Sequence, residues 1–371
     1  MGTNSQIGGL APLPCATCYD ASMQDYYAMT IPGLETIAFG EIRAQLSDAT
    51  LIKFARGVVL FRSAAPPADL LTLRTTEDVY VLLAHISNLG HGPDALRVLH
   101  SATLHADISG ALAVVRRARH GQPPKTWRVI SQKEGTHDFR RMDAGQAVTD
   151  ALKRALPPGM RAVPDDANLE CWLWLHGSEA LIGLRLSDAA MRHRTYKHDH
   201  VPASLRPTVA ATMVWLAQPQ PTDTVLDPMC GAGTLVIERA LFGPLTSAKG
   251  GDIRADAVGM AQRNARAAGI KADWQTWDAR KLPLEAASTS TILTNLPFGK
   301  QIGTLTTNIE LYTALAREFR RIITSPGVLV ALTSDDRLWD TVLREQGWQI
   351  AKKVVLVVLG QPATIFVAHP V

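Results

Sequence analysis

The chain has 371 residues, of which 46% are hydrophobic and 19% charged, a balance typical of a soluble globular protein with two or three domains. No stretch approaches the ~20 apolar residues of a membrane span, and the first residues lack the pattern of a signal peptide, so we expect a cytoplasmic protein. The formal net charge of +4 permits an acidic partner without requiring one. The few cysteines predict no disulfide framework, and Cys15-x-x-Cys18 lacks the further ligands of a structural metal site.

The N-terminal half predicts two small α+β units in succession. Residues 1–22 lack periodicity and are predicted to form a loose leader. In residues 23–98 the apolar pattern predicts strands at 26–30 and 57–61 and helices at 34–46 and 79–88. In residues 99–187 it predicts strands at 100–106 and 126–131, helices at 108–120 and 146–156, and a hairpin formed by 169–175 and 180–186. The polar stretch 188–205 is interpreted as a linker.

From residue 206 to residue 371 helices alternate regularly with short apolar strands, and a hairpin of 348–359 with 363–368 closes the chain. Repeated strand–helix units predict an α/β fold with a doubly wound parallel sheet, here ending in an antiparallel hairpin. Polar side chains follow four successive strands of this sheet: Asp227, Asp252, Asp278 and Asn295. Because such sheets bind ligands at the carboxyl ends of their strands, we expect a site there.

The segment DPMCGAGT, residues 227–234, joins a predicted strand to a predicted helix. Gly231 and Gly233 let the backbone adopt positive φ and approach a ligand closely, and the following helix directs its backbone N–H groups at the loop. A Walker A loop would need Lys-Ser or Lys-Thr after its last glycine, which is not found here. The alternative is a tight turn that binds nothing.

Two aspartates extend this site. Asp252, about 20 residues beyond Gly231, could accept hydrogen bonds from both hydroxyl groups of a ribose. Asp278 could accept from an adenine amino group, or it could simply cap the next segment.

Asn295-Leu296-Pro297-Phe298 is the most informative motif. An exocyclic amino group on a base is a poor nucleophile, because its lone pair is delocalised into the ring. The side-chain oxygen of Asn295 and the backbone carbonyl of Leu296 could accept hydrogen bonds from both N–H groups and aim the lone pair at a methyl donor. Pro297 would fix the turn and Phe298 would stack on an unpaired base. The alternative is a turn with a buried phenylalanine.

These residues resemble the class I S-adenosylmethionine methyltransferases, and the Asn295 motif resembles the Asn-Pro-Pro-Tyr/Phe motif of amino methyltransferases with leucine at the second position. The combination of HDHVPASLRPTVAATM (198–213), DPMCGAGTLVIERA (227–240) and NLPFGKQIG (295–303) is similar to the THUMP-containing guanine-N2 methyltransferases of tRNA. Residues 26–41 resemble the start of that family's N-terminal domain. The resemblance implies a ferredoxin-like domain at 23–98, a THUMP RNA-binding domain at 99–187 and a Rossmann-like methyltransferase domain at 206–371.

The resemblance also assigns roles to residues. It implies that S-adenosylmethionine contacts the glycine loop, the two strand-end aspartates and the segment before residue 206. The cofactor residues so implied are Ala203, Ser204, Leu205, Asp227, Pro228, Cys230, Gly231, Gly233, Asp252, Ile253, Asp278, Ala279 and Asn295. The target guanine would lie against Asn295, Leu296, Pro297 and Phe298. No metal is implied, the partner is tRNA, and we expect a monomer, with a partner subunit left open.

Basic residues of the N-terminal half supply candidate phosphate contacts, since phosphate contacts dominate affinity for RNA. The candidates are Arg116, Arg117, Arg140, Arg141 and, beside the base motif, Lys300. Solvated side chains are the alternative reading for all of them. Other functions also stay open: methylation of rRNA guanine or DNA adenine, methylation of protein glutamine, or a non-catalytic RNA-binding role. A 5-methylcytosine enzyme is disfavoured because Cys230 lies within the glycine loop rather than beside the base.

Overall fold

A computed structural model describes residues 23–119, 121–200, 204–297, 305–358 and 360–371. The predicted leader, with Cys15 and Cys18, lies outside these residues. The described chain forms two β-sheets, one in each half, and helices pack against both. Within the described ranges no single helix has the length and apolarity to cross a membrane, although two helices on either side of a sharp bend pass that test jointly.

Eight strands of the N-terminal half form one sheet in the order β2-β3-β1-β4-β8-β7-β5-β6. They are β1 (Gln24–Met29), β2 (Thr50–Ala55), β3 (Val58–Ser63), β4 (Asp78–Ile86), β5 (Thr126–Glu134), β6 (Arg161–Ala162), β7 (Leu169–His176) and β8 (Glu179–Arg185). One hydrophobic core joins this sheet to its helices. The helices are α1 (Glu35–Gln45), α2 (Asp94–Leu104), α3 (Ile108–Ala118) and α4 (Arg141–Ala155), with a 3-10 helix at Asp69–Thr72.

Two elements predicted for this half are wrong, and strand β2, strand β6 and the 3-10 helix were missed. Residues 79–88, predicted as a helix, contain strand β4, which lies between β1 and β8 and is buried on both faces at its start, so its apolar run does not alternate. Residues 100–106, predicted as a strand, belong mostly to helix α2, which buries Leu99 and Thr103 one turn apart. Strand β2 was missed because it is an exposed edge strand without an alternating pattern.

The two predicted N-terminal units are continuous with each other. Strand β4 of the first unit pairs with β8 of the second, with Val81 opposite Leu184. The predicted boundary between residues 98 and 99 falls inside helix α2. The order β2-β3-β1-β4 is that of a ferredoxin-like unit in which the 3-10 helix stands where the second helix would be. The two units predicted from the sequence therefore share one sheet, and the predicted boundary does not divide it.

The C-terminal half forms a seven-stranded sheet in the order β11-β10-β9-β12-β13-β15-β14. Six strands run in the same direction, and β15 runs antiparallel between β13 and β14. The strands are β9 (Thr224–Asp227), β10 (Ser247–Asp252), β11 (Asp273–Thr276), β12 (Thr289–Asn295), β13 (Ile323–Thr333), β14 (Trp348–Val358) and β15 (Gln361–Pro370). The predicted parallel sheet with a closing hairpin is confirmed.

Helices cover both faces of the second sheet and enclose two hydrophobic cores. They are α6 (Pro207–Leu216), α7 (Thr234–Phe242), α8 (Ala255–Ala267), α9 (Leu305–Ile322) and α10 (Asp336–Glu345). The chain proceeds outward in one direction from β9 to β11 and then returns to β12 on the other side of β9. The strand order reverses between β9 and β12, which is where sheets of this kind open a crevice for a ligand.

The segment between the two sheets is packed rather than loose. It contains a short helix, α5 (Ala189–His193), followed by the buried side chains of Tyr196 and Lys197. The Glu238 carboxylate of α7 is fully buried and accepts hydrogen bonds from Arg194, from the Tyr196 hydroxyl and from Arg74 of the N-terminal half. This arrangement joins both halves to the helix that follows the glycine loop.

Candidate active site

A cavity of about 440 Å³ opens at the carboxyl ends of the central strands, beside the reversal between β9 and β12. Its volume is within the range of small-molecule sites, roughly 300–1,000 Å³. The predicted residues that line it are Ser204, Leu205, Asp227, Pro228, Cys230, Gly231, Asp252, Ile253, Asp278, Ala279, Asn295, Leu296 and Pro297. Ala203, Phe298 and Lys300 lie outside the described residues.

The glycine loop needs its glycines for conformation and space. Gly231 and Gly233 have φ of +50° and +82°, a region that favours glycine. A Cβ at Gly233 would lie 2.9 Å from the Cβ of Ala261 on α8, too close for two carbon atoms. Gly233 does not line the cavity itself, so its role is to let α7 pack against α8 directly behind the loop.

Asp252 holds the loop in place. Its Oδ2 accepts a hydrogen bond from the backbone N–H of Gly231 at 2.9 Å, and its Oδ1 accepts from the N–H of Arg254 at 3.0 Å. The Cys230 N–H donates to the Gly251 carbonyl at 2.8 Å, which ties the loop to the end of β10 a second time. A carboxylate has about four lone-pair sites, so Asp252 can still accept from ligand hydroxyl groups while it keeps these contacts.

Asp227 is the most buried acid of the site. Its Oδ1 accepts from the N–H of Met229 at 3.1 Å, and burial raises the pKa of its carboxyl well above the usual value, with the Asp252 charge adding to the rise. Burial likewise raises the pKa of the neighbouring Cys230 thiol, so it is an uncharged lining group and not an activated nucleophile.

Asp278 has a partner that the sequence did not suggest. Its Oδ2 lies 2.6 Å from Nη2 of Arg280, and the hydrogen bonds from that guanidinium lower the pKa of the carboxyl. Its Oδ1 also accepts from the Arg280 backbone N–H at 2.9 Å, in a turn and not at a helix start. The Asp278 carboxylate therefore already carries a cationic partner, and its contact with an adenine amino group stays a prediction.

Asn295 ends strand β12 at the cavity wall. Its Oδ1 is buried and has no hydrogen-bond partner among the described residues. The next residue, Leu296, is held by its backbone N–H, which donates to the Leu332 carbonyl of β13 at 2.9 Å. An unpaired buried acceptor is costly, on the order of 1–3 kcal/mol, unless a ligand satisfies it. The geometry here is that of a site prepared to accept a hydrogen from a bound group.

Supporting residues around the loop were not found from the sequence. Trp277 donates from Nε1 to the Pro228 carbonyl at 3.0 Å, and the Asn264 side-chain amide donates to the Ala232 carbonyl at 3.0 Å. Arg254 and Arg280 line the cavity mouth. The only local signal was a tryptophan directly before Asp278, since the other contacts join residues far apart in sequence.

The candidate RNA-binding arginines form two separate pairs, Arg116 with Arg117 and Arg140 with Arg141. The helix end that carries the first pair lies near the start of β7, because Arg119 donates to the Asn168 carbonyl. The second pair follows a loop in which His137 hydrogen-bonds the Gly177 carbonyl, beyond the end of β7. Strand β7 has eight residues and spans roughly 26 Å at about 3.3 Å per residue, so the two arginine pairs lie near opposite ends of this length. All four side chains belong to exposed residues, and their role in RNA binding stays a prediction.

The C-terminal sheet, its strand order and the glycine loop after β9 define a class I methyltransferase fold. Residues 194–361 match the family model described as UPF0020: RMKL-like, methyltransferase domain. The crystal structure of TrmN from Thermus thermophilus superposes with a TM-score of 0.79 at 25% identity and covers 94% of this chain and 100% of that one.

Curated relatives extend the likeness into the N-terminal half. A tRNA (guanine(6)-N2)-methyltransferase from Archaeoglobus fulgidus is 26% identical over 87% of this chain and 86% of its own length. Its Thermus thermophilus counterpart is 28% identical over 82% and 87%. The human tRNA (guanine(6)-N(2))-methyltransferase THUMP3 is 32% identical over 64% of this chain but only 48% of its own length. The chain thus spans about half the length of the mammalian relatives.

Proposed function

We propose that this protein transfers a methyl group from S-adenosylmethionine to the exocyclic N2 amino group of a guanosine in tRNA. The observation that carries the proposal is the buried, unpaired Oδ1 of Asn295 at the wall of the cavity. A neutral amide oxygen in this position suits a hydrogen from an amino group. The backbone next to it is fixed by the Leu296 N–H, so the acceptor is oriented before a ligand arrives.

The chemistry of the base explains why such acceptors would accelerate the reaction. The N2 lone pair of guanine is conjugated with the ring, and it becomes available only when the nitrogen turns pyramidal. Asn295 Oδ1 and the Leu296 carbonyl, accepting one N–H each, favour that geometry. They also stabilise the positive charge that develops on nitrogen, which makes the hydrogen bonds stronger in the transition state than in the ground state.

The residues of the cavity fit the proposed cofactor. Asp252 has acceptor capacity left for ribose hydroxyl groups, and the glycine loop offers backbone close to the cavity. Exposed Ile253 lines the same cavity and offers an apolar surface for a purine ring. S-adenosylmethionine would supply, when bound, a methyl group on a positively charged sulfur.

The choice of RNA rests on the names of the relatives and on the N-terminal half. Relatives that align over most of their own length are named for guanine-N2 methylation of tRNA. A mouse relative with 31% identity over 35% of its length is named a U6 snRNA (guanine-N(2))-methyltransferase. We therefore propose that the N-terminal half acts as a ferredoxin-like and THUMP RNA-binding region, with tRNA as its ligand.

The test is methylation of RNA by the wild-type protein and by Asn295→Ala, with exposed Asn88→Ala as a matched control. Transfer of tritiated methyl groups to tRNA and to U6 snRNA transcripts identifies the RNA, and nucleoside mass spectrometry identifies the modified atom. We expect N2-methylguanosine in tRNA, loss of at least a hundredfold in kcat for Asn295→Ala, and unchanged calorimetric affinity for S-adenosylhomocysteine. Full turnover by Asn295→Ala would contradict the mechanism, and labelling of U6 snRNA alone would contradict the substrate.

A further inference from the structure

A chain of hydroxyl groups connects β13 and α9 to Pro297, in the segment that we propose to hold the target base. Tyr312 on α9 is buried, and its hydroxyl lies 2.9 Å from the carbonyl oxygen of Pro297 and 3.0 Å from Oγ1 of Thr333. Thr333 is the last residue of β13, and its Oγ1 also accepts the backbone N–H of Asp335 at 3.0 Å. The three contacts form a continuous line from the start of α10 to Pro297.

The direction of every hydrogen in this line can be assigned. A carbonyl cannot donate, so the single hydrogen of the Tyr312 hydroxyl must go to Pro297. The Thr333 hydroxyl must then donate to the Tyr312 oxygen, while its own oxygen accepts from Asp335. Each hydroxyl both accepts and donates, and such chains strengthen one another in a buried setting. The Tyr312 ring also packs edge-to-face with the Trp339 ring, with centroids 5.3 Å apart, which restricts its rotation.

We infer that Tyr312 and Thr333 are positioning residues for methyl transfer. This inference rests on the proposed function. Pro297 lies two residues after Asn295, and its carbonyl is held by Tyr312 while the Leu296 N–H is held by β13. The Leu296 carbonyl, the second proposed acceptor for the amino group, lies between these two anchors. Loss of the Pro297 anchor would leave the acceptor pair free to move relative to the cavity.

Loss of the hydroxyl chain should lower the rate of methyl transfer and leave the affinity for the cofactor unchanged. None of the hydroxyl groups in the chain belongs to a residue that lines the cavity, so binding of the cofactor does not depend on them directly. Misplacement of reacting groups by about 1 Å can lower a rate on the order of a hundredfold. We expect Tyr312→Phe and Thr333→Val each to lower kcat tenfold to a hundredfold, with affinity for S-adenosylhomocysteine within about twofold of wild type.

The controls separate this role from general stability. Thr333→Ser keeps the hydroxyl and should restore kcat to within about threefold of wild type. Tyr80→Phe removes a buried hydroxyl without a partner among the described residues of the other sheet, and should leave kcat unchanged. The double variant of Tyr312→Phe and Thr333→Val should be no slower than the slower single variant, because both break the same chain. Thermal unfolding of each variant confirms that it is folded.

Deuterium exchange provides a measurement that does not require activity. The Leu296 amide, bonded to β13, should exchange faster in Tyr312→Phe and at the wild-type rate in Tyr80→Phe. Unchanged exchange, or a kcat of Tyr312→Phe within twofold of wild type, would overturn the inference. A wild-type protein that methylates no RNA would overturn the proposed function. The exchange result would then still test whether the hydroxyl chain holds the backbone at Leu296 in place.

Discussion

Glu238 is predicted to be the most stability-sensitive acid at the junction of the two halves. Its side chain is 0% exposed, and Oε2 accepts from Nε and Nη2 of Arg74 at 2.9 and 2.8 Å. Oε1 accepts from Nε of Arg194 at 3.1 Å and from the Tyr196 hydroxyl at 2.8 Å. The carboxylate thus satisfies two cations and a hydroxyl that reach it from different parts of the chain.

The perturbation is Glu238→Gln, which keeps the shape and removes the charge. The amide NH₂ group would face donors instead of accepting from them, and two guanidinium groups with side chains 20% and 9% exposed would lose their counter-charge. Breaking a buried ion pair by removing one partner costs about 3–5 kcal/mol, because the remaining charge is left desolvated. We expect a loss of that size in the free energy of unfolding.

The assay is unfolding in urea, monitored by tryptophan fluorescence and by circular dichroism. The matched control is Glu134→Gln, the same substitution in a pair with Arg56 whose side chains are 64% and 59% exposed. Exposed pairs contribute about 0–1 kcal/mol, so the control should be nearly neutral. If Glu238→Gln costs no more than Glu134→Gln, then the buried network does not join the two halves and the reasoning is wrong.

Two further predictions follow from burial. An alanine at Gly251 would place its Cβ 2.2 Å from the Trp277 ring, which is too close for two carbon atoms. Gly251→Ala should therefore lower the melting temperature and weaken the binding of S-adenosylhomocysteine at least tenfold, as measured by calorimetry. The control Gly90→Ala, with open space around the new methyl group, should change neither quantity. Burial lowers the pKa of Lys197 from 10.5 to about 8, with Glu238 opposing the shift. The unfolded chain therefore binds more protons between these values, and stability should rise with pH across that window by up to about 3 kcal/mol relative to Lys197→Met. Parallel pH profiles of the two proteins in urea would refute this second prediction.

The sequence alone was sufficient for the parts of the molecule that depend on local patterns. The alternation of helix and strand after residue 206 follows from apolar periodicity, which is a property of neighbouring residues. The positive φ of Gly231 and Gly233 follows from their place between a strand and a helix. The clustering of the strand-end residues follows because parallel strands meet at one edge of a sheet, and all four of these residues line the cavity.

The tertiary structure decided what depends on contacts between distant residues. No local pattern could show that β4 pairs with β8, because its buried apolar run reads equally well as a helix. A local pattern also could not show that Arg280 contacts the Asp278 carboxylate. It could not show either that the two arginine pairs lie near opposite ends of β7. The hydroxyl chain from Thr333 through Tyr312 to Pro297 exists only because α9 packs across β12 and β13, which brings together groups up to 36 positions apart in the chain.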